Sequence, residues 1–145
     1  MNRFHKSLFA FCLGAACLPV LAQAPCPAGA RLNEGQLATL LTGRTVCATL
    51  GNDRWQEWHG AGGALWDYKR GPNHPVDPSE QVGNWAISGN GNNAVVNYTY
   101  GSSRYSYAVC STGTADTYDF RPAPSGSLIT GARFRPASGS AVACP

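Results

Sequence analysis

Apolar and polar positions follow two different rhythms along this chain, and the change comes at Gly43. Before it, Leu37, Leu40 and Leu41 recur at the three- and four-residue spacing that places them on one helical face. Asn33 stands where an N-cap belongs, Glu34 falls in the first turn and Gly43 stops the helix. After Gly43 the rhythm shortens to extended runs divided by Gly, Asn, Asp, Pro and Ser clusters. The pattern predicts eight strands: Thr45–Leu50, Arg54–His59, Ala64–Lys69, Gln81–Ser88, Ala94–Tyr100, Arg104–Ser111, Tyr118–Arg121 and Leu128–Arg135. Connections this short join antiparallel neighbours, because a parallel crossover needs a dozen or more residues. The expected fold is therefore mainly β, an eight-stranded antiparallel meander with one N-terminal helix to cover it. Closure into a small up-and-down barrel would remove the exposed edges; a strongly curved open sheet is the other solution.

The first residues change the compartment. Arg3 and Lys6 precede an apolar run from Leu8 to Leu21, and small residues follow at Ala22 and Ala24. The run is too short for a membrane span and contains Pro19. Residues 1–22 are read as a signal peptide cut after Ala22, since a cut after Ala24 would place Pro25 beside it. A lipoprotein site at Cys17 is the minority reading. Residues 23–43 then form the segment with the covering helix, and residues 44–145 the β-domain. A periplasmic or extracellular location follows, with no integral membrane segment in the mature chain.

Without the leader, nine Lys or Arg face eight Asp or Glu, so the basic balance of the full chain gives no argument for nucleic acid or acidic membranes. Four cysteines remain, Cys26, Cys47, Cys110 and Cys144, an even number that reads as two disulfides in an exported domain. Three connectivities are open; pairing Cys26 with Cys47 and Cys110 with Cys144 would close the most local loops. Their spacing has neither CxxC nor Cys/His clustering, so no metal is expected, and nothing in the chain implies a cofactor.

Candidate chemistry gathers between Trp55 and Ser88. Alternation puts Trp55, Glu57 and His59 on one strand face. A four-residue GAGG hairpin would bring Trp66 opposite Glu57 and Tyr68 opposite Trp55, giving an aromatic wall with two titratable groups. Inside a barrel, Trp55, Glu57, His59, Trp66 and Tyr68 would line a ligand cavity. A carboxylate beside an imidazole is also a conceivable acid–base pair, so Glu57 and His59 are the catalytic candidates; solvation near the barrel mouth, or a structural pairing with each other, is the commoner outcome of such neighbours. The Pro-rich connection at 71–79 supplies a rim in which Lys69, Arg70, His74 and Asp77 could grip a partner. Tyr98 and Tyr100 share one face, as do Tyr105 and Tyr107, which suits cross-strand packing or an adhesive aromatic surface. Motifs of hydrolases, zinc proteases, P-loops and dinucleotide folds are absent from the sequence.

With the Gly83-Asn84-Trp85 segment, the eight-run meander, the short helix and the leader, the chain resembles the calycin class of small barrels, the lipocalins and avidins. The segments TVCA, WQEWH, GGALWDYKRGP, DPSE, VGNW and YSY also resemble small secreted proteins of Gram-negative bacteria. The first likeness implies a barrel with an interior site; the second implies only compartment and fold. The expectation is a non-catalytic exported binding module for a small apolar or amphipathic ligand, or for an extracytoplasmic protein at the loop rim, an inhibitor-like role being what the resemblance to exported barrels implies. An enzyme built on Glu57 and His59, or an adhesive surface protein, are the alternatives.

Overall fold

The structure is a computed structural model that describes residues 25–67, 79–124 and 126–145. Residues 1–24, which include the expected signal peptide and Cys17, lie outside the described residues, as do Tyr68, Lys69, Arg70, His74 and Asp77.

Helix α1 spans Glu34–Leu41. The Asn33 side-chain oxygen accepts from the Gln36 amide at 3.0 Å and the Gln36 side chain accepts from the Asn33 amide at 2.9 Å, so two otherwise orphaned donors are satisfied reciprocally. Leu37, Leu40 and Leu41 are buried, as their spacing predicts. Gly43, at φ +70°, turns the chain out of the helix, and its amide donates to the His59 carbonyl at 2.7 Å.

Eight strands follow: β1 (Thr45–Leu50), β2 (Asp53–His59), β3 (Ala64–Asp67), β4 (Glu80–Ser88), β5 (Val95–Tyr100), β6 (Ser103–Ser111), β7 (Tyr118–Pro122) and β8 (Ile129–Phe134). Each pairs antiparallel with the next, and β1 pairs with β8 through Val46↔Phe134 and Cys47↔Arg133. The sheet is thus a closed barrel with no free edge. Of the two solutions left open by the strand pattern, closure is the one adopted.

One core fills the barrel beneath the helix. Leu37, Leu41, Val46, Leu65, Val96, Val109, Phe120 and Ala132 are fully buried in a single cluster with Trp85 and Tyr98. The helix enters that cluster at the end where β1 begins. At the same end the Trp85 indole donates to the Gly60 carbonyl at 3.0 Å, anchoring a large ring beside the β2–β3 turn. Gly83 serves a close approach: a Cβ there would lie 2.2 Å from the Thr99 carbonyl oxygen, so the glycine admits the β5 backbone.

The disulfides correct the local pairing. Cys26 is bonded to Cys110 and Cys47 to Cys144. The described segments before α1 and after β8 run back along the barrel wall. On either side of Cys110, the Leu32 amide donates to the Val109 carbonyl at 2.9 Å and the Ser111 amide to the Ala30 carbonyl at 2.8 Å. At the other end, the Cys144 amide donates to the Gln56 side chain at 3.0 Å and the Val142 amide to the Thr45 hydroxyl at 3.4 Å. Each bridge therefore ties a segment outside the sheet to a barrel strand, the one before α1 to β6 and the C-terminal one to β1.

Candidate functional site

The β2–β3 hairpin decides which side chains enter the barrel. The Gly60 amide donates to the Ala64 carbonyl at 2.8 Å, and Gly62 and Gly63, both at positive φ, close a turn one residue shorter than GAGG would give as a four-residue loop. His59 consequently pairs with Leu65, Trp58 with Trp66 and Glu57 with Asp67. This one-residue change in register reverses the face of every β3 side chain relative to expectation. Leu65 enters the core, whereas Trp66 shares the outer face with Trp58, so Trp66 is not part of the interior wall. Trp55, Glu57 and His59 do point inward together.

His59 sits at the floor and is fully buried. Its Nδ1 lies 3.2 Å from the Arg44 carbonyl, which can only accept, so Nδ1 carries the proton. Its Nε2 therefore accepts from the Tyr98 hydroxyl at 2.9 Å. Burial drives its pKa down to about 4, opposed by the Arg44 and Glu57 backbone oxygens. The imidazole is neutral, with both nitrogens engaged, and its edge packs on the Trp85 ring. It joins the helix exit, the start of β1 and the end of β2.

Glu57 occupies a different layer. Its Oε2 accepts from the Tyr100 hydroxyl at 2.7 Å, a partner on β5 across the barrel. Burial pushes the carboxyl up to about 7; the Tyr100 hydroxyl and Trp55 indole hold it back, and the Asp67 carboxylate opposite raises it further. Burial first, and then Glu57, push the Tyr100 hydroxyl pKa above its ordinary range. The two catalytic candidates thus face the same interior but bond to different tyrosines, Glu57 to Tyr100 and His59 to Tyr98.

Above Glu57 a cavity of about 400 Å³ opens at the end of the barrel opposite the helix. Trp55, Glu57, Tyr98, Tyr100, Tyr105 and Tyr107 are among the residues lining it, together with Leu50 on β1 and Ile129 on β8. The rings brace one another: Trp55 meets Tyr98 edge-on at 5.7 Å, Tyr98 meets Tyr107 at 6.1 Å, and Tyr100 meets Tyr105 at 5.9 Å. Tyr98 and Tyr107 are buried, while Tyr105, 41% exposed, stands at the mouth. Arg54 reaches the same mouth, with its guanidinium donating to the Pro145 backbone oxygen at 2.9 Å.

The four tyrosines are the site residues that sequence reasoning assigned to packing or to an outer surface. The signal that finds them is parity: Val96, Tyr98 and Tyr100 alternate on β5, as Tyr105, Tyr107 and Val109 do on β6. In a closed barrel the parity that includes the aliphatic residues faces inward. Comparison with known proteins finds no matching family model, no matching curated protein and no matching solved structure.

Proposed function

We propose that the protein is an exported, non-catalytic binding module that holds a small amphipathic molecule in the open end of its barrel. The observation that carries this reading is the cavity of about 400 Å³, walled by aromatic rings and containing one buried carboxyl group. A volume of that size suits a small ligand, and a largely aromatic wall with few polar groups suits one that is mostly apolar with a single polar point. The two disulfides support an oxidising compartment outside the cytoplasm. The bonding of His59 supports a binding role over catalysis, since both of its ring nitrogens are engaged within the fold.

The test is uptake of an apolar fluorescent probe, read from the probe's emission and from quenching of the Trp emission. Wild type takes up the probe. Ile129→Trp, which adds an indole to the cavity wall, loses uptake while keeping its β-rich circular dichroism spectrum. A folded wild-type protein that takes up no probe ends the proposal. Native mass spectrometry of protein isolated from the periplasm identifies the natural occupant.

A further inference from the structure

We propose that the outer wall of the barrel carries an oxyanion site, a pocket beside the Cys47–Cys144 bridge that holds a small molecule by its carboxylate, sulfate or phosphate group. The site is separate from the interior cavity and stands whether or not that cavity binds a ligand.

Strand register builds the site. Cys47 on β1 stands in line with Gln56 on β2 and Arg133 on β8. Alternation turns these three outward, because Val46, Glu57 and Ala132 beside them in the chain are the ones that enter the barrel. Arg135 follows two residues later on the same face, and its amide donates to the Thr45 carbonyl at 2.9 Å. The C-terminal segment lies against this stretch of wall, fixed by the bridge from Cys47 to Cys144. The pocket between them measures about 360 Å³, and Arg54, Gln56, Arg133 and Arg135 line it with Cys144 and Pro145.

The side chains lining it are donors. Gln56 is 7% exposed, and its Oε1 accepts from the Cys144 amide at 3.0 Å. Because a backbone N–H can only donate, that bond fixes which end of the side-chain amide is oxygen, and the NH₂ group is the other end. This NH₂ group donates to nothing among the described residues, and an oxyanion in the pocket gives it an acceptor. The guanidiniums of Arg133 and Arg135 make no hydrogen bond or ion pair among the described residues, while Arg54 donates to the Pro145 backbone oxygen at 2.9 Å. No Asp or Glu among the described residues lines the pocket. On neighbouring β7 the outward carboxylate is Asp119, already engaged by Arg121 at 3.5 Å and by the Gly131 amide at 3.1 Å. A guanidinium fork matches two oxygens of a carboxylate, sulfate or phosphate, so the pocket selects an oxyanion and not simply negative charge. Its volume suits a small organic molecule that carries the group.

The experiment titrates the protein with sulfate, inorganic phosphate and citrate at constant ionic strength, read by amide NMR and by calorimetry. The Gln56 side-chain amide and the backbone amides of Cys47, Arg133 and Cys144 should shift and saturate together, while the Trp55 indole in the interior cavity keeps its position. Arg133→Gln, at an exposed position, should weaken binding about tenfold or more with the melting temperature unchanged. Arg104→Gln removes an equally exposed guanidinium on β6, outside the pocket, and should leave binding nearly unchanged. Tighter binding of citrate supports the site and assigns a carboxylate to its ligand; tighter binding of sulfate or phosphate supports it and assigns a tetrahedral anion. No saturable binding of any of the three in the millimolar range overturns the proposal. So do saturable shifts centred away from Gln56 and Arg133, or equal weakening by Arg133→Gln and Arg104→Gln, which is the mark of diffuse surface charge. Should a variant fail to fold, the pattern of shifts in the wild type decides by itself. Uptake of the apolar probe into the barrel, measured with and without sulfate, reports on the interior cavity independently.

Discussion

The Tyr98 hydroxyl donates to Nε2 of His59 across 2.9 Å, linking the middle of β5 to the end of β2 through the barrel floor. Both side chains are essentially without solvent contact. Tyr98→Phe keeps the ring and leaves the imidazole lone pair buried without its donor. The expected cost is about 1–3 kcal/mol in urea unfolding, with the barrel intact by circular dichroism. A loss below a few tenths of a kcal/mol would show that this bond does not hold the floor together.

Glu57 and His59 make opposing contributions to the pH dependence of stability. The Glu57 carboxyl is raised from 4.5 to about 7, so in that window the native state holds more protons than the unfolded state, and stability falls as pH rises. The His59 imidazole is lowered from 6.5 to about 4, so in that window the unfolded state holds more protons, and stability rises with pH. Each effect is worth about 3 kcal/mol, and the windows overlap almost completely. Wild type should therefore be nearly flat between about pH 4.5 and 6.5. Glu57→Gln should uncover a rise over about pH 4 to 6.5, and His59→Gln a fall over about 4.5 to 7. Denaturant midpoints across pH measure all three, and variants with parallel profiles would refute the assignment.

Gly83 lies against the backbone of β5 at close range. The Cβ of an alanine would sit 2.2 Å from the Thr99 carbonyl oxygen, a backbone atom that cannot swing aside. Gly83→Ala should cost about 2–4 kcal/mol and lower the thermal midpoint by several degrees, whereas Gly51→Ala, in open space at φ +62°, should cost only about 1 kcal/mol through its backbone conformation. Equal effects at the two positions would mean that the strands separate easily.

The Cys47–Cys144 bridge holds the C-terminal segment along β1 and β2 across a separation of 97 residues. Replacing both cysteines with alanine should cost about 2–5 kcal/mol. It should also release the Val142 and Cys144 amides, now bonded to Thr45 and Gln56, to rapid hydrogen exchange while the β5–β6 amides remain protected. Unchanged protection at residues 142 and 144 would show that those hydrogen bonds hold the segment without the bridge.

Local chemistry determined the elements. Asn33 with Gln36, the leucine spacing and Gly43 specify α1 within a few covalent bonds of where they act, and the turn clusters divide the remainder into eight strands whose sequential pairing follows from their short connections. The inward alignment of Trp55, Glu57 and His59 was legible for the same reason, since alternation needs only one strand. Everything that joins distant residues was decided by the tertiary structure. The face of Trp66 depended on the path of Gly60 through a single turn, and the disulfide partners depended on the segments before α1 and after β8 lying against β6 and β1. The pairing of Glu57 with Tyr100, and of His59 with Tyr98, required β2 and β5 to face each other across an interior that exists only once β8 has met β1. The same closure removes water from both titratable groups, and desolvation is a property of the enclosed space, which no pattern along the chain expresses.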